Sequence, residues 1–165
     1  MSSSPTTRTP ACTLTLVPRR YDHPDAWALV SALHADQLTR YGHADDPTDV
    51  SPEEFLPPAG LFLVGYHDTQ PVACGGLRTL DPATHTVEIK RMFVTPDHRG
   101  HGYGHRVLAA LEDAAHTDGA CRIVLETGAR NLEALDLYQQ AGYQPIPAYT
   151  DGRNPTVNRA FAKNL

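Results

Sequence analysis

Residues 99–104 read RGHGYG, with glycine at every second position behind an arginine. Glycine loses more conformational entropy on folding than any other residue, so such a run weakens a chain unless bare backbone is needed. Glycines ahead of a helix let several N–H groups turn toward one point. With the positive end of the helix dipole they form an anion site suited to phosphate. Arg99 adds a planar guanidinium fork matched to phosphate oxygens. From 97 to 106 the chain carries two arginines and three histidines against one acid, a local basic pocket in an acidic protein.

Three phosphate-binding patterns compete for this stretch. A nucleotide P-loop requires GxxxxGK[ST], and neither Lys-Ser nor Lys-Thr follows these glycines. The dinucleotide fingerprint GxGxxG starts at Gly100 and Gly102, but its third glycine position holds His105. Glu126, near the end of the next strand, is the acid that would then serve a ribose. The third pattern, R/Q-x-x-G-x-G/A, is met in full by Arg99, Gly102 and Gly104. By themselves these residues establish an anion near a helix start and leave the cofactor open. His98, His101 and His105 also space as H-x-x-H-x-x-x-H, and imidazoles one helical turn apart can converge on zinc. Only Asp97 stands nearby as a carboxylate partner. Titratable positive charge beside a phosphate is the more economical reading, and no metal is expected.

A strand and a helix must hold that loop. VEIKRMFV (87–94) reads as a strand stopped by Pro96, and HRVLAALEDAAHTDG (105–119) carries Val107, Leu111 and Ala115 on one stripe before Gly119 ends it. Upstream, CTLTLVP (12–18) alternates as a strand. Trp27, Val30, Leu33, Leu38 and Tyr41 recur at helical intervals over 24–41 and predict an amphipathic helix. In SPEE (51–54), Ser51 is placed to cap, Pro52 takes the first helical position and Glu54 completes a capping box, predicting a short second helix around Phe55. LFLVGYH and PVACGGLRTL form a hairpin through DTQ. CRIVLET (121–127) is a further strand, NLEALDLYQQAG (131–142) a helix capped by Asn131, and strands near 143–149 and 157–165 finish the chain. The order β-α-α-β-β-β-α-β-α-β-β predicts an α/β fold: a mixed, mostly antiparallel central sheet flanked by helices. Its one parallel pair comes from the right-handed crossover through the helix after the glycines.

At 165 residues and 41% hydrophobic content, a single domain is expected over 11–165, behind a disordered Ser/Thr/Pro-rich tail over 1–10. A net charge of −5 argues against a broad nucleic-acid-binding surface. No apolar run reaches signal-peptide or membrane-spanning character, so the expectation is a cytoplasmic protein with no membrane partner. Cys12, Cys74 and Cys121 form no CxxC pair and fall in apolar runs, which predicts reduced, buried, structural thiols.

Taken with the second half of the chain, the glycine turn resembles the GCN5-related N-acetyltransferases. VEIKRMFVTPDHRGHGYG is similar to that family's fourth strand leading into its pyrophosphate loop. NLEALDLYQQAGY is similar to a second signature, an Asn-capped helix with a tyrosine just before a Gly-aromatic turn. The similarity runs from about 61 to 149 and thins over the first sixty residues. It implies the acyl-CoA N-acyltransferase fold, acetyl-CoA as acyl donor, and transfer of acetyl to an amine in a ternary complex. By this resemblance the backbone of Met92, Phe93 and Val94 would meet the pantetheine arm between splayed fourth and fifth strands. The N–H groups of Arg99, Gly100, His101, Gly102, Tyr103 and Gly104 would meet the pyrophosphate, and Asn131 would help hold the cofactor. Tyr138 corresponds to a tyrosine whose hydroxyl faces the thioester sulfur and is assigned as general acid. Without the resemblance it reads as a core aromatic packed with Leu135.

Glu88 lies six residues before Val94, where histone-acetylating relatives carry a base. It is assigned to take the ammonium proton, directly or through water. Strand alternation places Glu88, Lys90 and Met92 on one face, where a solvated Glu–Lys pair is the plain alternative. A backbone N–H among Met92, Phe93 and Val94 would stabilise charge on the thioester oxygen. The acceptor, expected to be a small-molecule amine or amino acid, would enter past Tyr41, Phe55, Arg78, Arg91 and Tyr149. Arg78 and Arg91 would suit a carboxylate, and HADDPTD (43–49) a polycation. A CoA-binding sensor without turnover, or an enzyme acting on a protein lysine or N-terminus, are the alternatives. Dimers are common in the family, but no interface shows in the sequence.

Overall fold

The computed structural model describes residues 13–165; the expected tail over 1–10, and Cys12, lie outside the described residues. In chain order the elements are β1 (Leu14–Pro18), α1 (Pro24–Tyr41), β2 (Gly60–His67), β3 (Gln70–Asp81), β4 (Thr86–Val94), α2 (Tyr103–Thr117), β5 (Arg122–Gly128), α3 (Leu132–Gln140), β6 (Gln144–Ile146) and β7 (Asn158–Asn164). The strands form one sheet in the order β1-β2-β3-β4-β5-β7-β6. Every neighbouring pair is antiparallel except β4–β5, the two strands joined through α2. The mixed, mostly antiparallel sheet expected from the element order is the one observed. No helix among the described residues is long and apolar enough to cross a membrane.

Local chemistry explains the element ends. Pro24 opens α1 behind His23, whose Nδ1 accepts the Asp25 N–H, and Gly42 closes it in the left-handed region at φ 75°. The expected second helix is a single 3₁₀ turn, Pro52–Phe55, with its capping box intact: Glu54 accepts the Ser51 N–H at 3.0 Å and Ser51 Oγ the Glu53 N–H at 3.3 Å.

Two apolar layers cover the sheet. On one face α1 and the 3₁₀ turn pack Ala26, Leu29, Val30 and Phe55 against Phe62, Val64, Cys74 and Phe93. On the other, α2 and α3 pack Val107, Leu108, Leu111 and Tyr138 against Leu63, Leu77, Ile89, Leu125 and Phe161. Two sequence-based expectations fail here. Trp27 and Leu38 are 41% and 45% exposed, because the buried line of α1 runs through Ala26, Leu29 and Val30 and leaves them on its flanks. Cys121 is exposed while Cys74 is buried; Cys121 precedes β5, at a surface turn tied to the His85 carbonyl.

A bulge in β4 decides which residues face which layer. Cys74 pairs with Phe93 and Gly76 with Lys90, so Arg91 and Met92 together oppose Gly75. Arg91 sits at φ 60°, an uncommon left-handed conformation for a non-glycine residue. One extra residue reverses the alternation beyond it. Lys90 and Arg91 therefore both reach the α1 side, while Met92 packs toward α2, on the face opposite Glu88. The expectation that Glu88, Lys90 and Met92 share a face is corrected accordingly. Glycine is required across from the bulge, since a Cβ on Gly75 would lie 2.6 Å from Met92 Sδ, 2.9 Å from Val107 Cγ1 and 3.0 Å from Leu111 Cδ1. Gly75→Ala should destabilise the protein by about 1–3 kcal/mol through overpacking, read as a lower urea midpoint at unchanged slope.

Candidate active site

β4 and β5 share only four register pairs, from Thr86↔Arg122 to Ile89↔Leu125. Past that point β5 continues against β7 and β4 against β3, so the two strands part. A cavity of about 660 Å³ runs along this opening, walled by Met92, Phe93, Val94, Tyr138 and Asn131. At one end stands the glycine loop and at the other a cluster of buried charges.

The loop presents backbone. Gly100 and Gly102 sit at φ 81° and 76°, and a Cβ on either would meet nothing within 4 Å, so their conformation rather than their space demands glycine. Gly104 is different: there a Cβ would lie 3.6 Å from Leu137 Cδ2, where α2 begins beside α3. Gly102 is the N-cap of α2 and supplies no side-chain acceptor, leaving the first-turn N–H groups of a fifteen-residue helix without a side-chain cap. Gly102, Tyr103 and Gly104 line the cavity.

Side chains in the loop are otherwise engaged. The Arg99 fork does not stand free for phosphate. Its Nε donates to the Val94 carbonyl at 3.0 Å, its Nη2 lies 3.4 Å from Asp36 on α1, and it covers the Phe93 ring. Arg99 thereby ties the loop to β4 and α1. His98 Nδ1 is hydrogen-bonded to Thr95 Oγ1, and His105 Nε2 to the Gln140 side chain. His101 is exposed, turns its Nδ1 to the carbonyls of His98 and Arg99, and stands outside the cavity wall. The Tyr103 ring is buried, its hydroxyl 2.7 Å from His67 Nδ1, so its side chain belongs to the core.

On α3, Asn131 caps the helix by accepting the Ala134 N–H at 3.2 Å. Tyr138 lies two turns on, 4% exposed and edge-on to Tyr143. Burial pushes its phenol above the ordinary range, so it carries its proton at neutral pH. Glu88 is 3% exposed, so the solvated Glu–Lys pair does not occur. Its Oε2 accepts from Arg78 at 2.8 Å, and its Oε1 from the Tyr149 hydroxyl at 2.9 Å. Burial and the Glu88 carboxylate raise the Tyr149 phenol, which keeps it a donor.

Comparison with known proteins decides the family. The acetyltransferase (GNAT) family pattern matches residues 27–143. The chain belongs to the GNAT acetyltransferase family. This GNAT chain is 37% identical over 82 residues to an IAA acetyltransferase of Azospirillum brasilense, covering 50% of this chain and 53% of that protein. It is 36% identical over 69 residues to the L-amino acid N-acyltransferase MnaT of Escherichia coli, covering 42% and 40%. The matched part thus spans about half the length or less of these curated relatives. Among solved structures, a Klebsiella pneumoniae protein assigned as an acyl-CoA N-acyltransferase superposes with TM-score 0.78 at 27% identity, over 94% of this chain and 99% of that one. A GNAT acetyltransferase of Elizabethkingia anophelis, solved with acetyl-CoA bound, gives TM-score 0.66 at 20% identity, over 92% and 98%.

At the charged end of this GNAT cleft, several residues depart from expectation. Phe55 is a core residue stacked on Tyr21 and does not stand on the wall of this cavity. Arg78 is held between Glu54 and Glu88 rather than left for a carboxylate. The acidic run at 43–49 is only partly open: Asp45 accepts both Arg153 terminal nitrogens at 2.9 and 2.8 Å, while Asp46, which caps the turn Pro47–Asp49, and Asp49 are exposed. Arg153 Nε also donates to Glu126 at 3.1 Å, joining the segment before β7 to β5 and to the segment after α1. Sequence reasoning missed this latch, since Arg153 lies in an aperiodic loop 108 residues from Asp45. Its hydrogen bonds hold the Asp45 carboxyl below the ordinary carboxylate range. A depressed folded-state pKa contributes stability above the unfolded value, about 3.9, and loses it as pH falls through the folded value. Asp45→Asn should therefore lower Tm at pH 6, with the gap from wild type closing below about pH 4 in thermal scans.

Proposed function

We propose that this chain is an N-acetyltransferase that moves an acetyl group from acetyl-CoA to the amine of a small molecule, by direct attack in a ternary complex. One observation carries the reading. A single cavity of about 660 Å³ joins uncapped helix N–H groups at Gly102–Gly104 to Tyr138 and Glu88. The donor set fits the phosphate-bearing end of acyl-CoA: backbone N–H groups at a helix start, glycines at positive φ, and open space where side chains would stand. The parted strand β4 offers the backbone of Met92, Phe93 and Val94 to an extended arm, and Asn131 stands on the same wall. The acetyl-CoA-bound Elizabethkingia anophelis structure lends support through the shared fold.

Acetyl-CoA supplies an activated acyl group on a thiol leaving group. The acceptor nitrogen must lose a proton before it can attack, since amines of ordinary pKa are ammonium ions at neutral pH. Glu88, desolvated and fixed by Arg78 and Tyr149, takes that proton directly or through a water. The nitrogen then bonds the acetyl carbon as the carbon–sulfur bond breaks, and the proton in excess on that nitrogen passes, through water, to the departing thiolate to give the free thiol. A backbone N–H beside the β4 bulge, where the ladder is interrupted, meets the charge gathering on the carbonyl oxygen. Tyr138 donates to the departing sulfur. Its raised phenol is a weaker acid than a thiol, so hydrogen bonding to the sulfur is its main contribution.

Two variants test the reading. Tyr138→Phe should lower kcat by roughly a hundredfold in an acetyl-CoA-dependent thiol-release assay across an amine panel, with acetyl-CoA affinity retained. Unchanged turnover removes Tyr138 from the chemistry, and silence of the wild type on every amine favours a CoA sensor. Gly102→Glu places a carboxylate at the uncapped helix start and strains φ, so calorimetry should show acetyl-CoA binding abolished. Retained micromolar affinity in a variant of native circular dichroism would sink the phosphate assignment.

A further inference from the structure

The β4 bulge places two consecutive cations, Lys90 and Arg91, on one wall of the cavity beside Glu88. Lys90 is short of partners. Among the described residues its Nζ makes no hydrogen bond, and its nearest carboxylate oxygen, Glu88 Oε1, is 3.9 Å away. Glu88 is already held from elsewhere, by Arg78 on one oxygen and Tyr149 on the other, with lone pairs left over on both. Asp45 is occupied by both terminal nitrogens of Arg153. Arg91 donates through Nη2 to the Asp46 carbonyl, and its Nε is buried with no acceptor. Yet the Lys90 side chain is only 17% exposed. Its Nζ is not fully enclosed and opens to the cavity; burial lowers the Lys90 pKa, Glu88 opposes that shift, and the neighbouring Arg78 and Arg91 add to it.

We infer that Lys90, supported by Arg91, receives a carboxylate carried by the acceptor, which makes the acceptor an amino acid type of molecule rather than a simple amine or a polycation. The inference rests on the acetyltransferase reading and names the substrate class of that site. Glu88 and Lys90 stand two apart on one strand face, a negative and a positive group side by side at the cavity wall. An ammonium and a carboxylate on one small molecule present the complementary pair: the ammonium approaches Glu88 while the carboxylate meets Lys90. A polyamine would instead set a second cation against Lys90 and Arg91.

The test compares free α-amino acids with their carboxamides, which keep the amine and remove the charge. For the best amino acid, wild-type kcat/KM should exceed that of its carboxamide by roughly ten- to a hundredfold, the range of a charge-assisted hydrogen bond. In Lys90→Met that ratio should fall toward one, and Lys90→Arg should restore most of it. Calorimetric titration of the same panel into protein saturated with CoA reads the subsite without turnover. Equal affinities for acids and carboxamides, no amino acid binding, or an unchanged ratio in Lys90→Met overturns the carboxylate subsite. Amine turnover alongside such a result leaves the acetyltransferase reading standing. Selective binding of amino acids, lost in Lys90→Met but never followed by thiol release, keeps the subsite and overturns the acetyltransferase.

Discussion

The parting of β4 from β5 is the constraint on which the rest of this structure depends. Strands in a sheet ordinarily satisfy each other's backbone to their ends, because an unpaired buried N–H or carbonyl is expensive. Here the parallel ladder stops after Ile89↔Leu125, and each strand keeps a partner only on its outer side. Past Ile89 the inner edge of β4 has no strand beside it and forms a wall of the cavity. The Arg91 bulge adds local twist at the same place and resets which side chains point to which layer. The glycine loop and the start of α2 then fall at one mouth of the opening, since β4 must pass through them to cross over to β5.

A second constraint is the burial of charge at the other mouth. A carboxylate as enclosed as Glu88 is tolerable only when its lone pairs are met, and Arg78 and Tyr149 meet them. Arg78 in turn is held by Glu54, the same residue that completes the capping box on Ser51. The geometry of Glu88 is therefore set by a 3₁₀ turn more than thirty residues away. The Arg153 latch works similarly, tying two loops and β5 through one guanidinium. Groups held in this way have little conformational freedom left to lose.

Much of this was legible in the residues. Periodicity and turn chemistry placed α1 at 24–41, the hairpin, the capping box and the crossover pair, because each depends on interactions within a few residues of chain. The glycine loop was legible for the same reason: positive φ at Gly100 and Gly102 is a local demand. Trp27 and Cys121 were misplaced because burial depends on what covers a side chain, and hydrophobicity alone does not say that. Arg99 shows the same limit, since its type suits phosphate but its neighbours Val94 and Asp36 claim it.

The sequence by itself determined the elements, their order, the glycine turn ahead of α2 and the Asn131–Tyr138 helix, all carried by short-range spacing. Only the tertiary structure decided that Lys90 and Arg91 share a wall with Glu88, that Met92 does not, and that Arg153 closes on Asp45. A bulge reverses a strand's facing without changing its composition, and an ion pair across 108 residues leaves no periodic trace. Those outcomes are fixed by which surfaces meet when the layers pack, and they set the charge pattern against which an acceptor must fit.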